Sequence, residues 1–306
     1  PEITCVCMAH SLERWKTWSA SKLPGRAVNR FVRGWAVPRL SLSIEVHRTA
    51  CIVTHPPGGE GANDALCNPA NERLQGARFT PDECWTELYG DPTTGRWDEK
   101  FLTYPFQSID GLVTEFGGAG LRAALEAQPA GEGGVRCQVG RAVATASHGE
   151  LRELYPVAIV HAVAPFAPHA AAASEGGGGE GGFGEGAWER GTVDAYRAAL
   201  SAAEAEGVAS LALPLLGAGV RGIDLPLDES IKVAARGVVG WRSYEAPAGH
   251  PPMTVRFGVQ SSSTAHALSA ALEACLGEAA QGASAEQGGF EVVAPPQGES
   301  PQARWA

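Results

Sequence analysis

A chain of 306 residues with 44% hydrophobic and 19% charged residues has enough apolar surface for a sizeable core, which excludes wholesale disorder. The net charge of −10 excludes a protein that coats nucleic acid, though not one with a local basic face. At about 150 residues per domain, the length suggests two domains or one enlarged one.

The charge is uneven along the chain. Residues 1–48 carry eight basic side chains against three acidic ones, so the remainder is strongly negative. This basic start reads as a solvated extension, with an organelle transit segment as the alternative. The seven cysteines are an odd number, and Cys51, Cys67 and Cys137 sit in apolar runs, which argues against a disulfide framework. Cys5, Cys7 and His10 are loosely metal-like in spacing, but no second cluster completes four ligands, so no metal site is expected. The apolar stretch from Leu154 to Ser174 is broken by Pro156, Pro165 and Pro168 and reads as a buried strand and a loop rather than a membrane span. The expected compartment is intracellular, cytoplasm or nucleus, with organelle import through the basic start as the variant.

In chain order, the alternation of 40–46 predicts a strand, and an apolar run follows at Ala50 to Val53. A polar loop, 54–63, leads to a strand at 64–68. A helix is predicted at 120–127 and a strand buried on both faces at 157–163. Helical spacing of Trp188, Val193, Tyr196, Leu200 and Ala203 predicts a helix over 188–206, stopped by Gly207. A strand at 208–213, a glycine loop at 217–222, a helix at 226–239, a strand at 253–259 and a helix at 264–276 complete the pattern. Strands alternating with helices predict an α/β fold: a three-layer α/β/α sandwich with a central mixed β-sheet.

The expected organisation is a basic N-terminal extension at 1–38, a single domain at 39–277, and a disordered tail at 278–306. Two segments interrupt that domain. Residues 167–187, rich in glycine and alanine, read as a flexible loop. Residues 77–111 hold Trp85, Tyr89, Trp97, Phe101, Tyr104 and Phe106, too much aromatic surface for a spacer, and are expected to form an ordered insertion.

Two glycine clusters carry the candidate chemistry. The first, Gly117-Gly118-Ala119-Gly120-Leu121, is expected to open the helix that follows, where backbone amides and the helix dipole attract anions. The second runs Gly217-Ala218-Gly219-Val220-Arg221-Gly222, where missing side chains let a phosphate approach the backbone. Neither has P-loop or Rossmann spacing. Facing each other, they would hold a diphosphate from both sides. Asn68 and Asn71 follow the end of the strand at 64–68, and an amide that both donates and accepts suits paired ribose hydroxyls, or else an Asx-type turn.

Taken together, DALCNPANERLQG at 64–76, GGAGLRAAL at 117–125, VAIVHAVAP at 157–165 and SLALPLLGAGVRG at 210–222 resemble the macro domains, which bind ADP-ribose. The likeness spans roughly Leu40 to Leu276. It implies that Asn71, with Asn68 behind it, contacts the distal ribose, and that the loops 117–121 and 217–222 wrap the diphosphate. The family's adenine-facing carboxylate corresponds to Cys51 in the run Ala50-Cys51-Ile52-Val53, so Cys51 and Ile52 would face adenine without that charged bond.

Some macro domains only bind ADP-ribose and others hydrolyse its conjugates. One hydrolytic subgroup has an aspartate just after the first glycine loop, matched here to Arg122. Another has one in the second loop, matched to Arg221. The resemblance therefore implies a binding module for ADP-ribose or an ADP-ribosylated macromolecule, needing no cofactor, with Arg122 and Arg221 available to phosphate. The alternative is a hydrolase acting on ADP-ribosylated protein or on ADP-ribose 1″-phosphate or O-acetyl-ADP-ribose. Its catalytic groups would be non-standard, with Asp224 and His161 as candidates; for Asp224 helix capping and for His161 a core role are the competing readings. No membrane or nucleic-acid partner is expected, and the insertion 77–111 would form a lid beside the loop 117–121, or failing that a surface for a partner.

Overall fold

A computed structural model describes residues 29–76, 78–79, 96–98, 101–103, 108–167, 186–222, 225–242, 250–281 and 290–293. Its centre is an eight-stranded mixed sheet. In chain order the strands are β1 (Asn29–Val37), β2 (Leu42–Thr49), β3 (Ala65–Pro69), the short β4 (Arg78–Phe79), β5 (Arg96–Asp98) and β6 (Phe101–Thr103), then β7 (Ala142–Ala146), β8 (Ala158–Ala162), β9 (Ser210–Leu213), β10 (Met253–Val259) and β11 (Glu291–Val293). Between them lie the helices α1 (Ile109–Glu126), α2 (Leu151–Leu154), α3 (Ala187–Ala205), α4 (Leu227–Val239) and α5 (Ser262–Gln281).

The main sheet runs β11-β1-β2-β10-β9-β3-β8-β7, and β4, β6 and β5 form a small separate sheet within the insertion. The five central strands from β2 to β8 are parallel, while β1, β11 and β7 pair antiparallel at the two flanks. Parallel strands need cover on both faces, and the period of two along each strand supplies an apolar set to each. Ala65 and Cys67 of β3, with Ala158, Val160 and Ala162 of β8, join the core under α3, α4 and α5. Leu66 and Ile159 point the other way, into a second core with Leu112, Val113 and Phe116 of α1 and Leu151 and Leu154 of α2. The three layers expected from the sequence are present, and among the described residues no helix is long and apolar enough to cross a membrane.

Several boundaries differ from the sequence-based reading. The segment 1–38 is not wholly an extension: β1 pairs with β2 along its length and buries Trp35 and Val37. The segment 278–306 likewise contributes the end of α5 and the strand β11, which pairs with β1. The antiparallel strand β7 and the turn of helix α2 were not foreseen. The largest shift concerns α1, which starts at Ile109, inside the expected insertion, rather than near residue 120. Ser108 caps it by accepting a hydrogen bond from the Gly111 amide, and Asp110 sits in its first turn, where an acid suits the helix dipole. Of the expected loop 167–187, residues 168–185 lie outside the described residues.

Candidate functional site

Because β9, β3 and β8 are parallel neighbours, the loops that follow them all emerge at one edge of the sheet. Ligand crevices of open α/β sheets lie at that edge. There, one residue before the end of β3, lies Asn68, whose side chain is buried against α1 and β8. Its amide nitrogen donates to the Asp110 carboxylate at 2.7 Å and lies 3.2 Å from Nδ1 of His161, while Nε2 of His161 lies 3.1 Å from the Thr145 hydroxyl on β7. A row of four polar side chains thus crosses the sheet from β7 to α1.

Burial pushes the Asp110 carboxyl up to about 6, although the Asn68 hydrogen bond and the positive charge of Arg221 oppose the rise. Burial pushes His161 down to about 3, so its ring stays neutral and its two nitrogens are committed within the row. Bonded at both nitrogens inside the sheet, His161 is placed as a core histidine would be. Among the described residues, the Asn68 side-chain oxygen is buried with no hydrogen-bond partner.

Asn71 follows on the same loop. Its amide donates to the Gly76 carbonyl at 2.8 Å and accepts from the Gln75 amide at 3.2 Å. This is the Asx-type use, which staples the loop 71–76, and it engages one hydrogen of the amide and one side of its oxygen.

The loop after β9 is braced from α3. The Tyr196 hydroxyl accepts from the Leu216 amide at 2.6 Å and faces the Pro214 carbonyl. Gly217 and Gly222 are buried, Ala218 is half-buried, and Gly219 is exposed, while Val220, Arg221 and Gly222 form a short 3-10 turn. A side chain at Gly222 would come within 1.9 Å of the Gly217 carbonyl, so only glycine closes this loop. Arg221 reaches across to the loop after β3, where its guanidinium pairs with both oxygens of Glu72 at 3.1 and 2.7 Å. Cys51 and Ile52 follow β2 at this same sheet edge; Cys51 is half-buried, and the buried Ile52 offers its carbonyl to the Tyr155 hydroxyl.

The first glycine cluster lies elsewhere. Gly117, Gly118, Ala119 and Gly120 fall inside α1, which kinks at Gly118 with φ 58° and ψ −153°, a conformation suited to glycine. The kink packs on the turn after β7: the Glu150 amide donates to the Phe116 carbonyl, and a side chain at Gly149 would come within 2.2 Å of that carbonyl. Residue 146 pairs with residue 158, so this turn marks the start of β8, the sheet edge away from Asn68. Eight residues of helix, about 12 Å, separate Asp110 from Gly118. Leu121 is buried in the core, and Arg122 is half-buried beyond the kink. The two glycine clusters therefore do not face each other, and the acid beside Asn68 is Asp110, not a residue at position 122. The signal that could have located it is Ser108-Ile109-Asp110-Gly111 before an apolar-periodic run, a helix start hidden at the end of the aromatic insertion.

Asp224 and the Cys5, Cys7 and His10 group lie outside the described residues, as does most of the insertion expected to act as a lid. Among the described residues no group of His, Cys, Asp and Glu could hold a metal ion. Beside the crevice an open cleft of about 610 Å³ runs between Glu72 and the segment 131–139.

A three-layer sandwich with polar side chains gathered where parallel strands end is an α/β domain whose ligand crevice, by the rule for such sheets, lies at that edge. The macro domain family model matches residues 97–234, which omits the motif at 64–76 across the insertion. The fold is similar to that of a variant macrodomain from Oceanobacillus iheyensis, with a TM-score of 0.54 and 14% identity over 84% of this chain and 98% of that one. It is similar also to the structure of the Oceanobacillus iheyensis macrodomain with ADP, with a TM-score of 0.53 and 15% identity over 82% of this chain and 100% of that one. A comparison with curated proteins gives no match. Residues 97–234 thus match the macro domain model, and the fold is that of the macrodomain structures.

Proposed function

We propose that this macro domain binds ADP-ribose, free or attached to a macromolecule, in the crevice outside the C-terminal ends of β9, β3 and β8. The observation that carries the reading is the convergence of Asn68, Asn71, Asp110 and Arg221 on that edge, from the end of β3 and its loop, the loop after β9 and a helix start. Asn71 and Asp110 stand at the ribose end, the amides of 217–222 serve the diphosphate, and Cys51 and Ile52 stand at the adenine end. The Oceanobacillus iheyensis macrodomain structure with ADP supports an adenine nucleotide as the ligand class. Calorimetry with ADP-ribose is the test: saturable one-to-one binding is expected, and no heat at high micromolar ligand with a folded sample would refute it.

One observation favours a second reading, hydrolysis of an ADP-ribosyl bond. Asp110 is a carboxyl raised to about 6 at the ribose end, close enough to neutral pH to exchange a proton with a bound water or leaving group. Incubation with ADP-ribosylated protein and with ADP-ribose 1″-phosphate separates the two readings. Product release abolished by Asp110→Asn supports the enzyme, and no release of either product leaves the binding module.

A further inference from the structure

Arg221 does not stand open in the crevice. Both of its terminal nitrogens donate to Glu72, Nη1 also donates to the Ala164 carbonyl, and the guanidinium lies 4.4 Å from the Phe166 ring centre. The Arg221 carbonyl in turn accepts from the Ala167 amide at 2.6 Å. One side chain therefore ties together the loops that follow β9, β3 and β8. Its charge also bears on Asp110.

Each partner holds a different part of the guanidinium. Phe166 takes a face and Ala164 one N–H, while among the described residues Glu72 alone occupies the fork of two parallel donors. A carboxylate and a phosphate offer that fork the same pair of oxygens. Glu72 is the more exposed member of the pair, 27% against 13% for Arg221, and it borders the open cleft, so its carboxylate has room to swing out.

From this geometry we infer that Glu72 is a built-in stand-in for a ligand phosphate. In the free chain it keeps the Arg221 fork occupied and the three loops tied, and an incoming diphosphate takes over the fork while Glu72 turns into the cleft. The inference rests on the reading of this crevice as an ADP-ribose site and adds how that site is kept closed.

Calorimetry with ADP-ribose on the full chain tests it through Glu72→Gln, which removes the competing charge at constant shape. About tenfold tighter binding than wild type is expected, the size of one displaced charge-assisted contact. The gain must disappear in the Arg221→Gln background. A gain that persists there means simple repulsion between Glu72 and the ligand and overturns the exchange, as does unchanged or weaker binding by a folded Glu72→Gln protein. Glu72→Asp, too short for the fork but still charged, is the second variant; it is expected to tighten binding as well, and if it does not, the exchange fails. If neither wild type nor variant binds ADP-ribose, the ligand reading falls by itself. Titration with inorganic pyrophosphate then decides the exchange, which stands if Glu72→Gln tightens pyrophosphate binding and falls if it does not.

Discussion

At Asn68, a single side chain decides how three others behave. Its amide nitrogen faces both Asp110 and Nδ1 of His161, so His161 must accept there and carry its proton on the nitrogen nearer Thr145. Asp110, raised from the ordinary 3.8 to about 6, then has a definite effect on stability. Between these values the folded chain holds a proton that the unfolded chain has lost, so this group's contribution falls as pH rises from about 4 to 6 and stays flat above. Asp110→Asn removes that loss. Thermal melts are expected to show the variant about 1–3 kcal/mol more stable than wild type at pH 7.5 and equal to it at pH 4. Equal stability of the two proteins at both pH values would contradict the burial of the carboxyl. At this scale the sequence identifies Asn68, Asn71 and Arg221 through their motifs. Asp110 is missed because 35 residues assigned to the insertion hide a helix start, and Arg122 takes its place in the reading. That Arg221 pairs with Glu72 is also beyond the sequence, because the two come from loops 149 positions apart.

At the scale of elements, the instructive case is α1. A run such as Gly117-Gly118-Ala119-Gly120 reads as a breaker, and a phosphate loop is a reasonable expectation for it. In the fold the same glycines allow a helix to bend and let the turn at Gly149 press on its backbone. Gly149→Ala puts a methyl group 2.2 Å from the Phe116 carbonyl and strains a φ of +55°. Urea unfolding is expected to show a loss of about 2–4 kcal/mol, with the ADP-ribose affinity of the remaining folded protein unchanged. The corresponding change Gly222→Ala, 1.9 Å from the Gly217 carbonyl, is expected to weaken binding itself, because it distorts the loop after β9. A Gly149→Ala protein that folds normally but binds poorly would return the first glycine cluster to the site. The strands β3, β8, β9 and β10 are legible as apolar or alternating runs. The strand β7, five residues of Ala, Val and Thr, is too short and weakly apolar to stand out.

At the scale of the molecule, the 1–38 segment belongs partly to the fold. Arg30 and Arg33 mask the alternation of β1, yet Trp35 is fully buried, and Arg33 pairs with Glu273 on α5. Removing residues 1–38 would strip β2 of its antiparallel neighbour, leave β11 unpaired and delete Trp35 from the core. A chain starting at 39 is expected to aggregate or melt without cooperativity. Circular dichroism melts of this truncation and of the full chain check this, and a cooperative, wild-type-like melt of the truncated chain would show that β1 is dispensable.

The central claim is that the ligand edge is the one where β9, β3 and β8 end. Hydrogen exchange of the full chain with and without saturating ADP-ribose measures this directly. Protection is expected in 71–76, 163–167 and 217–222 and at the start of α1 near Asp110, with none at the kink 117–120 or the turn 147–150. Protection confined to 117–120 and 147–150, or spread over neither edge, would contradict the account.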